Sequence, residues 1–277
     1  MQIRIIDKNH EYIRFVVKGI TPSLANTLRR IMLSEVPSMA IDEVVIIENS
    51  SILHDKILSL RLGLIPIKTD LDSYNLPEEC SCKSEFGCNL CRAVLTLDAQ
   101  ALDDVKTIYS GDLISEDPHI AAVSDKIPIV KLAPGQKVKI EAYARLGKGK
   151  VHAKWQPVSQ CIYRYMPKIK IDIARCDVCR NCIEICPQKI LTKERNKIKI
   201  QNLMECTLCE DCVKVCSKDP SAIEISRDGD SFIFELESTG VLPIEQIVSE
   251  AFKIVNKKFS DFLNLLAGKK HESKEGN

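Results

Sequence analysis

The sequence predicts an α+β fold with more than one domain, and three observations lead to this prediction. The chain has 277 residues, of which 45% are hydrophobic and 28% charged, a globular composition with room for roughly two domains. Short β-type runs fill the middle of the chain, whereas helical patterns lie near its two ends. Twelve of the 13 cysteines fall in three groups of four. So many thiols in an intracellular chain indicate bound metal more often than disulfides.

Two strands and a helix open the chain. Apolar alternation on either side of a polar turn predicts an antiparallel strand pair in residues 2–17. Thr21 has the residue type of a helix N-cap, and Pro22 suits the first helical position. We expect this helix to end before Pro37, because a proline disfavours helical backbone at the residue before it.

The middle of the chain, residues 41–158, is predicted to be rich in strands. Its β-type runs are bounded by proline, glycine or aspartate, which are the residues that interrupt strands. The four runs are Val44–Ile47, Ala93–Leu97, Ile127–Leu132 and Val138–Ala144.

A long helix is predicted after Pro243. One small domain rarely needs so long and wide an apolar face, so a second chain should cover part of it. An ordinary core helix is the alternative. Residues 268–277 are polar and are predicted to form a disordered tail. The apolar residues of the helix recur at spacings of four and three, namely Val248, Phe252, Val255, Phe259, Phe262 and Leu266.

Charge and hydropathy exclude several classes of protein. Lys and Arg total 39 against 38 Asp and Glu, so the formal charge of +1 argues against a chain that coats nucleic acid by itself. No apolar run is long enough for a membrane helix, and the N-terminus lacks an apolar signal core. These features predict a cytoplasmic protein without a membrane partner. The five histidines are scattered, and we expect no catalytic residues on this chain.

Two of the cysteine groups form an internal repeat with the spacing C-x2-C-x2-C-x3-C, and each cysteine of the later group stands 30 residues after its counterpart. This is the pattern of bacterial-type ferredoxins, in which the fourth cysteine ligates the other cluster. We also expect the fourth cysteine to open a short helix. Eight reduced thiols or four disulfides are the alternatives, and the exact repetition of the spacing argues against both. The expected ligands are Cys176, Cys179, Cys182 and Cys216 for one [4Fe–4S] cluster, and Cys206, Cys209, Cys212 and Cys186 for the second. The sequence does not decide between the [4Fe–4S] and the [3Fe–4S] form of a cluster.

The remaining group has the spacing C-x-C-x5-C-x2-C. Four thiolates within 12 residues suit a tetrahedral structural Zn²⁺ ion, and Gly87 allows a sharp turn between them. A reduced cysteine-rich loop without metal is the alternative. The expected zinc ligands are Cys80, Cys82, Cys88 and Cys91.

Several segments resemble the alpha-type subunits of DNA-directed RNA polymerase. The resemblance runs from Ile3 to Leu266, and with its ferredoxin-like insertion the chain is similar to the archaeal branch of that family, which is related to the third-largest subunit of eukaryotic RNA polymerase II. The motif Ala25-Asn26-x2-Arg29-Arg30 is the most specific feature when it occurs together with Arg61-Leu62-Gly63-Leu64. The other matching segments are Glu35-Val36-Pro37, Ala40-Ile41-Asp42, His152 to Val158 and Glu237 to Gly240.

The resemblance implies an architecture. Residues 1–40 and 229–267 would form one discontinuous dimerisation domain. Residues 41–158 would be an inserted β-rich domain that carries the Cys-rich loop 80–91. Residues 159–228 would be a ferredoxin-like domain, and because this chain keeps all eight cluster cysteines it should hold two clusters.

The resemblance also implies a function, that of a non-catalytic assembly subunit of an archaeal polymerase. It would pair with subunit L, dock the second-largest subunit and small polymerase subunits, and reach DNA only through the holoenzyme. Seen alone, Arg29 and Arg30 fit a solvated helix face better than a binding element. A ferredoxin-type electron carrier is the rival function, but no flavin or nicotinamide fingerprint accompanies the clusters. The implied interface residues are Asn26, Arg29, Arg30, Arg61, Phe252, Phe259 and Phe262.

Overall fold

The computed structural model describes residues 1–84 and 87–267. The predicted tail at 268–277 lies outside the described residues. In chain order the elements are β1 (Gln2–Lys8), β2 (Tyr12–Lys18), α1 (Pro22–Ser34), β3 (Pro37–Asn49), α2 (Asp55–Gly63), β4 (Ala93–Gln100), β5 (Lys106–Tyr109), β6 (Ile114–Ser115), β7 (Pro128–Leu132), β8 (Lys137–Lys148), β9 (Val158–Ile171), α3 (Asn181–Ile185), β10 (Leu191–Glu194), β11 (Lys197–Ile200), α4 (Asp211–Lys214), β12 (Ile223–Ser238) and α5 (Ile244–Leu266).

The mixture of helices and antiparallel sheets confirms the predicted fold class at this level. The chain divides into two compact units, which we call unit 1 and unit 2, while the domain boundaries implied by the resemblance stay a prediction. Unit 1 contains Met1–Lys8, Ile13–Asn26 and Ile162–Glu235, and unit 2 contains Asn9–Tyr12, Thr27–Cys161 and the chain from Leu236 onward.

The predicted strand pair and first helix are both confirmed. β1 and β2 pair antiparallel, with a bulge between Ile5 and Asp7. Thr21 caps α1, because its Oγ1 accepts a hydrogen bond from the backbone N–H of Leu24 at 3.3 Å. The helix ends at Ser34, before Pro37 as predicted.

Unit 1 is built on a four-stranded sheet with the order β1-β2-β12-β9. Aromatic side chains form its core: the Phe15 and Phe234 rings stack at 5.2 Å, and the Tyr163 and Tyr165 rings lie 5.6 and 5.0 Å from Phe232. The hairpin β10–β11 lies between the two halves of the cysteine repeat.

Unit 2 contains a sheet with the order β3-β8-β4-β6 and the smaller pair β5–β7. Side chains alternate between buried and half-buried positions along β8, as expected for a strand with one face on the core. All four runs predicted for residues 41–158 are confirmed as parts of β3, β4, β7 and β8, and only Ile127 falls outside its strand, one residue before the start of β7. The helix α2 covers this core with the fully buried Leu58 and Leu62.

The long C-terminal helix is confirmed as α5, with 23 residues and Pro243 as its N-cap residue. Its first half is anchored in unit 2 by four buried residues, Ile244, Ile247, Ala251 and Val255. Within the described ranges, no helix is both long and apolar enough to cross a membrane.

Candidate metal centres and interface surfaces

The backbone of unit 1 repeats its shape along with the cysteine spacing. Val178 and Leu208 both have φ of 59°, and Arg180 and Glu210 have φ of 77° and 62°. Each pair is 30 residues apart, like the cysteines. Left-handed backbone is costly for residues with a Cβ, and most of all for the branched Val178. The two cysteine loops therefore share a costly backbone conformation, which a bound ligand would help to stabilise.

The four cysteines predicted for the first cluster line one cavity, together with Val178, Lys218 and Ile223. Cys176, Cys179 and Cys182 come from the first motif, and Cys216 reaches the same cavity from the second. Burial, together with the nearby Cys179 and Cys176 thiols, raises the pKa of the Cys182 thiol to about 11. A cationic iron centre would offset that cost of ionisation.

The second predicted set also converges. Burial, together with the nearby thiols of Cys186, Cys206 and Cys209, raises the pKa of the Cys212 thiol to about 11. Cys186 belongs to the first motif but lies close to Cys212 of the second, as an exchange of fourth cysteines would require. Two sets of four soft sulfur donors fit iron–sulfur clusters. The assignment of the ligands to clusters stays a prediction.

The expected helix position in each motif is wrong. α3 carries the third cysteine, Cys182, and ends just before Cys186, which is extended with ψ of 112°. Cys186 precedes Pro187, and a residue before proline is displaced from helical backbone. The fourth cysteine therefore follows the short helix instead of opening it.

An ion-pair network holds the second cysteine loop against the sheet of unit 1, and the sequence analysis missed it. Arg14 on β2 contacts Glu205 at 2.5 Å and Glu235 at 3.2 Å. Arg164 on β9 contacts Glu235 at 2.9 Å. The hydrogen bond from Arg14 lowers the pKa of the Glu205 carboxyl. Because Glu205 directly precedes Cys206, this network positions the first cysteine of the second set.

The Cys-rich loop of unit 2 has the geometry of a four-sulfur metal site. The Cys80 and Cys88 sulfurs lie 3.7 Å apart, and Cys82 and Cys88 each lie 3.8 Å from the Cys91 sulfur. All four sulfurs lie within 4.8 Å of one another. Tetrahedral zinc with Zn–S bonds of about 2.3 Å places its sulfurs about 3.8 Å apart. The donor set therefore fits one structural zinc ion.

Local backbone contacts shape this loop. Gly87 has φ of 76°, and a Cβ there would lie 3.2 Å from the Cys91 sulfur. The backbone N–H of Cys88 donates to the Cys91 sulfur at 3.1 Å. Burial raises the pKa of the Cys91 thiol to about 12, whereas backbone donation from Ser84 lowers that of Cys82 to about 7. A dication would be needed to hold all four sulfurs as thiolates.

Two segments that carry the resemblance meet in unit 2. Lys154 donates to the carboxylate of Asp42 at 2.5 Å and to the backbone carbonyl of Ile41 at 3.1 Å. Its ammonium also lies 4.4 Å from the centre of the Trp155 ring. Neither segment alone predicts these contacts.

The arginines of the predicted interface lie in different surroundings. Arg30 is exposed and Arg29 half-buried on α1, as is Asn26. Arg61 is exposed on α2, but it donates to the backbone carbonyl of Pro128 at 2.7 Å. Their roles at an interface stay predictions.

An apolar face of α2 surrounds Arg61, and the sequence analysis missed this helix. Ile57, Leu60 and Leu64 are 50%, 58% and 56% exposed. Because Leu58 and Leu62 make the opposite side of α2 apolar as well, the sequence has no amphipathic pattern that could have predicted this helix. The face gives Arg61 an apolar surround of the kind found at protein interfaces.

The second half of α5 exposes the predicted interface phenylalanines. Phe252 is half-buried, whereas Phe259 and Phe262 are 59% and 58% exposed. Leu263 and Leu266 continue the same exposed surface at 63% and 69%. This half of the helix thus has an apolar stripe that unit 2 leaves uncovered.

The sequence of this chain matches those of known proteins along most of its length. Residues 14–259 match the family described as the RNA polymerase Rpb3/Rpb11 dimerisation domain. The chain is 41% identical to the DNA-directed RNA polymerase subunit Rpo3 of Archaeoglobus fulgidus over 265 residues, 96% of this chain and 97% of the relative. It is 40% identical to the Rpo3 subunit of Methanosphaera stadtmanae, covering 96% and 98% of the two chains. Its identity to the Rpo3 subunit of Pyrobaculum arsenaticum is 37%, covering 97% of each.

Proposed function

This chain belongs to the RNA polymerase Rpb3/Rpb11 dimerisation family and to its archaeal Rpo3 branch, and from that premise we propose that it is an assembly subunit of an archaeal DNA-directed RNA polymerase. It pairs with the smaller subunit L, and the pair then docks the second-largest subunit and the small subunits. Contact with DNA is made only through the holoenzyme.

The exposed half of α5 carries this proposal. Phe259, Phe262, Leu263 and Leu266 are each more than half exposed, although large apolar side chains gain about 1.5–3 kcal/mol from burial. A permanent apolar interface with a partner helix would provide that burial.

Ion pairs orient the helix so that its apolar stripe stays accessible. Lys258 contacts Glu35, the residue after α1, at 2.6 Å, and Lys257 contacts Glu79 at 3.7 Å. Burial would raise the pKa of Glu35, but the hydrogen bond from Lys258 lowers it below its ordinary value. The lysines thus hold α5 against unit 2, while Phe259 and Phe262 stay exposed for a partner.

The apolar face of α2 is the second docking surface. Ile57, Leu60 and Leu64 lie beside Arg61 there, and Arg30 is exposed on α1. A large subunit would cover this face. Arg61 keeps its bond to the Pro128 carbonyl and offers its remaining donors to the partner.

The metals support folding in this proposal. Clusters at the two sets of cysteines in unit 1, and zinc at Cys80, Cys82, Cys88 and Cys91, would supply thiolate cross-links that hold short segments with little apolar core of their own. In unit 1, the Arg14–Glu205 pair positions the loop before Cys206. We assign no catalytic residue to this chain, and the electron-carrier alternative is not favoured because the family is one of polymerase subunits.

A pairing assay tests the proposal. We expect Phe259→Ala to weaken pairing with subunit L by at least tenfold, because truncating a phenylalanine that becomes buried costs about 3 kcal/mol or more. Asn264→Ala, an exposed polar position on the same helix, should pair like the original chain. Size-exclusion chromatography of co-purified, metal-loaded chains measures both. Equal pairing of Phe259→Ala and the unchanged chain would contradict the proposed interface.

A further inference from the structure

The outermost strand of unit 1 leaves an apolar edge uncovered. β1 is the first strand in the order β1-β2-β12-β9, so among the described residues no strand pairs with its outer edge. Ile3 and Ile5 on β1 are 50% and 56% exposed. Such an edge presents backbone N–H and C=O groups to any strand that can pair with it.

The bulge limits where a strand could be added. The register of β1 against β2 shifts between Ile5 and Asp7, and a bulge bends and twists its strand so that regular pairing stops. The charged residues Asp7 and Lys8 follow it, and charges also protect an edge. The open stretch is therefore Gln2–Ile5.

A groove of about 390 Å³ runs along one face of this stretch. Its lining combines Ile6, Val16, Met166 and Met204 with the cations Arg4 and Lys18. Methionine side chains adapt to partners of different shape, which suits a binding surface.

The two cations give the groove its chemical preference. Gln2 pairs with Lys18 and Arg4 with Val16, so Arg4 and Lys18 project from the same face of the sheet. Both are exposed, and within 1–84 and 87–267 neither makes an ion pair or a side-chain hydrogen bond. No carboxylate lines the groove. Its positive charge has no ion-pair partner among the described residues.

We propose that Gln2–Ile5 binds an extended segment of a partner protein in which apolar and acidic residues alternate. The segment adds a strand to β1, with its apolar side chains beside Ile3 and Ile5 and its carboxylates beside Arg4 and Lys18. This proposal does not rest on the polymerase function.

Two other occupants fit the surface less well. A second copy of this chain paired through β1 would bring Arg4 and Lys18 of both copies together, and like charges repel. Single-stranded nucleic acid is usually held by aromatic side chains that stack on bases, and none lines this groove.

The test uses the full metal-loaded chain and a capped, fluorescein-labelled peptide in which Val alternates with Glu. A peptide of the same length with Lys in place of Glu is its counterpart. We expect the Val–Glu peptide to slow amide hydrogen exchange at Gln2–Ile5, and the Val–Lys peptide to bind about tenfold more weakly. The Arg4→Glu/Lys18→Glu variant should reverse this preference. The matched control, Lys193→Glu/Lys197→Glu, makes the same charge change on the exposed β10–β11 hairpin and should leave the preference unchanged.

Three results would overturn the proposal. One is unchanged exchange at Gln2–Ile5 with about 1 mM Val–Glu peptide, the weak limit of specific binding. Another is a peptide preference that the Arg4→Glu/Lys18→Glu variant does not alter. The third is binding of a labelled single-stranded oligonucleotide, in place of the peptide, that requires Arg4 and Lys18. Pairing through α5 uses none of these residues, so its failure would leave this test unaffected.

Discussion

Gly147 lies directly under the indole ring of Trp155. A Cβ at this position would be 2.3 Å from a ring atom. The ring has little room to move, because Trp155 is only 4% exposed and its Nε1 donates to the backbone carbonyl of Arg145 at 3.2 Å. Even one added methyl group would therefore displace the tryptophan.

We expect Gly147→Ala to lower the free energy of unfolding by about 2 kcal/mol, as overpacking of a close-packed site typically does. Gly229→Ala is the control, because nothing lies within 4 Å of a Cβ at that position. Urea unfolding of the full metal-loaded chain measures both variants. Equal midpoints for the two would show that the tryptophan site can accommodate the methyl group.

The zinc site leads to a second prediction at single residues. Cys88→Ser should release the zinc without changing the iron content, because its sulfur completes the set with Cys80, Cys82 and Cys91. Cys161→Ala is the matched control, since Cys161 is a buried thiol outside all three groups. Elemental mass spectrometry of the purified variants measures zinc and iron per chain. Zinc that remains stoichiometric in Cys88→Ser would remove this residue from the ligand set.

Single residues differ in how far the sequence could predict their roles. The first three cysteines of each repeat are grouped by their spacing, because a loop of two residues leaves few places for the sulfurs to go, whereas the exchange of the fourth cysteine stays a prediction. The contact of Lys154 with Asp42 could not be predicted in this way. It depends on the pairing of β3 with β8 over 11 registered positions, and such long-range register is not encoded in either segment.

Among the elements, the two cysteine motifs allow a test of the exchanged fourth ligand. Cys176 and Cys216 lie in different motifs but line the same cavity. We expect Cys176→Ser/Cys216→Ser to retain as much iron as either single variant, since all three lose one cluster. Cys206→Ser/Cys216→Ser should lose both clusters. Iron per chain after anaerobic purification measures the difference. If the double variant within the second motif retained more iron than the double variant across motifs, each motif would hold its own cluster.

The helices show why some elements were predicted and others were not. α5 has its apolar residues at regular helical spacing over 23 residues, so its pattern is strong. α2 has only nine residues, and apolar side chains occur on both its buried and its exposed face. A short helix that is apolar on two sides has no clear stripe. The exposed apolar residues on this side of α2 are explained only if a partner covers them, as proposed above.

Across the whole molecule, the sequence predicted a chain of several parts, but not how contacts would group them. β1 and β2 belong to the same compact unit as the cysteine repeat, since β12 and β9 extend the N-terminal sheet. Those long strands connect residues that are more than 200 positions apart. No local sequence pattern predicts the pairing of such distant strands, because it depends on which strands remain unpaired after the local hairpins have formed.

The central claim is that this chain acts in assembly of the polymerase and not in its chemistry, and reconstitution of the enzyme tests it most directly. Polymerase is assembled from its subunits with either the unchanged chain or the Phe259→Ala/Phe262→Ala variant, and two quantities are measured, the yield of assembled enzyme and the RNA made per assembled enzyme. We predict a yield of assembled enzyme at least tenfold lower for the variant, because it lacks the two phenylalanines, exposed in the chain by itself, that a partner would bury. We predict that RNA synthesis per assembled enzyme is unchanged. A normal yield with reduced synthesis per enzyme would contradict the account.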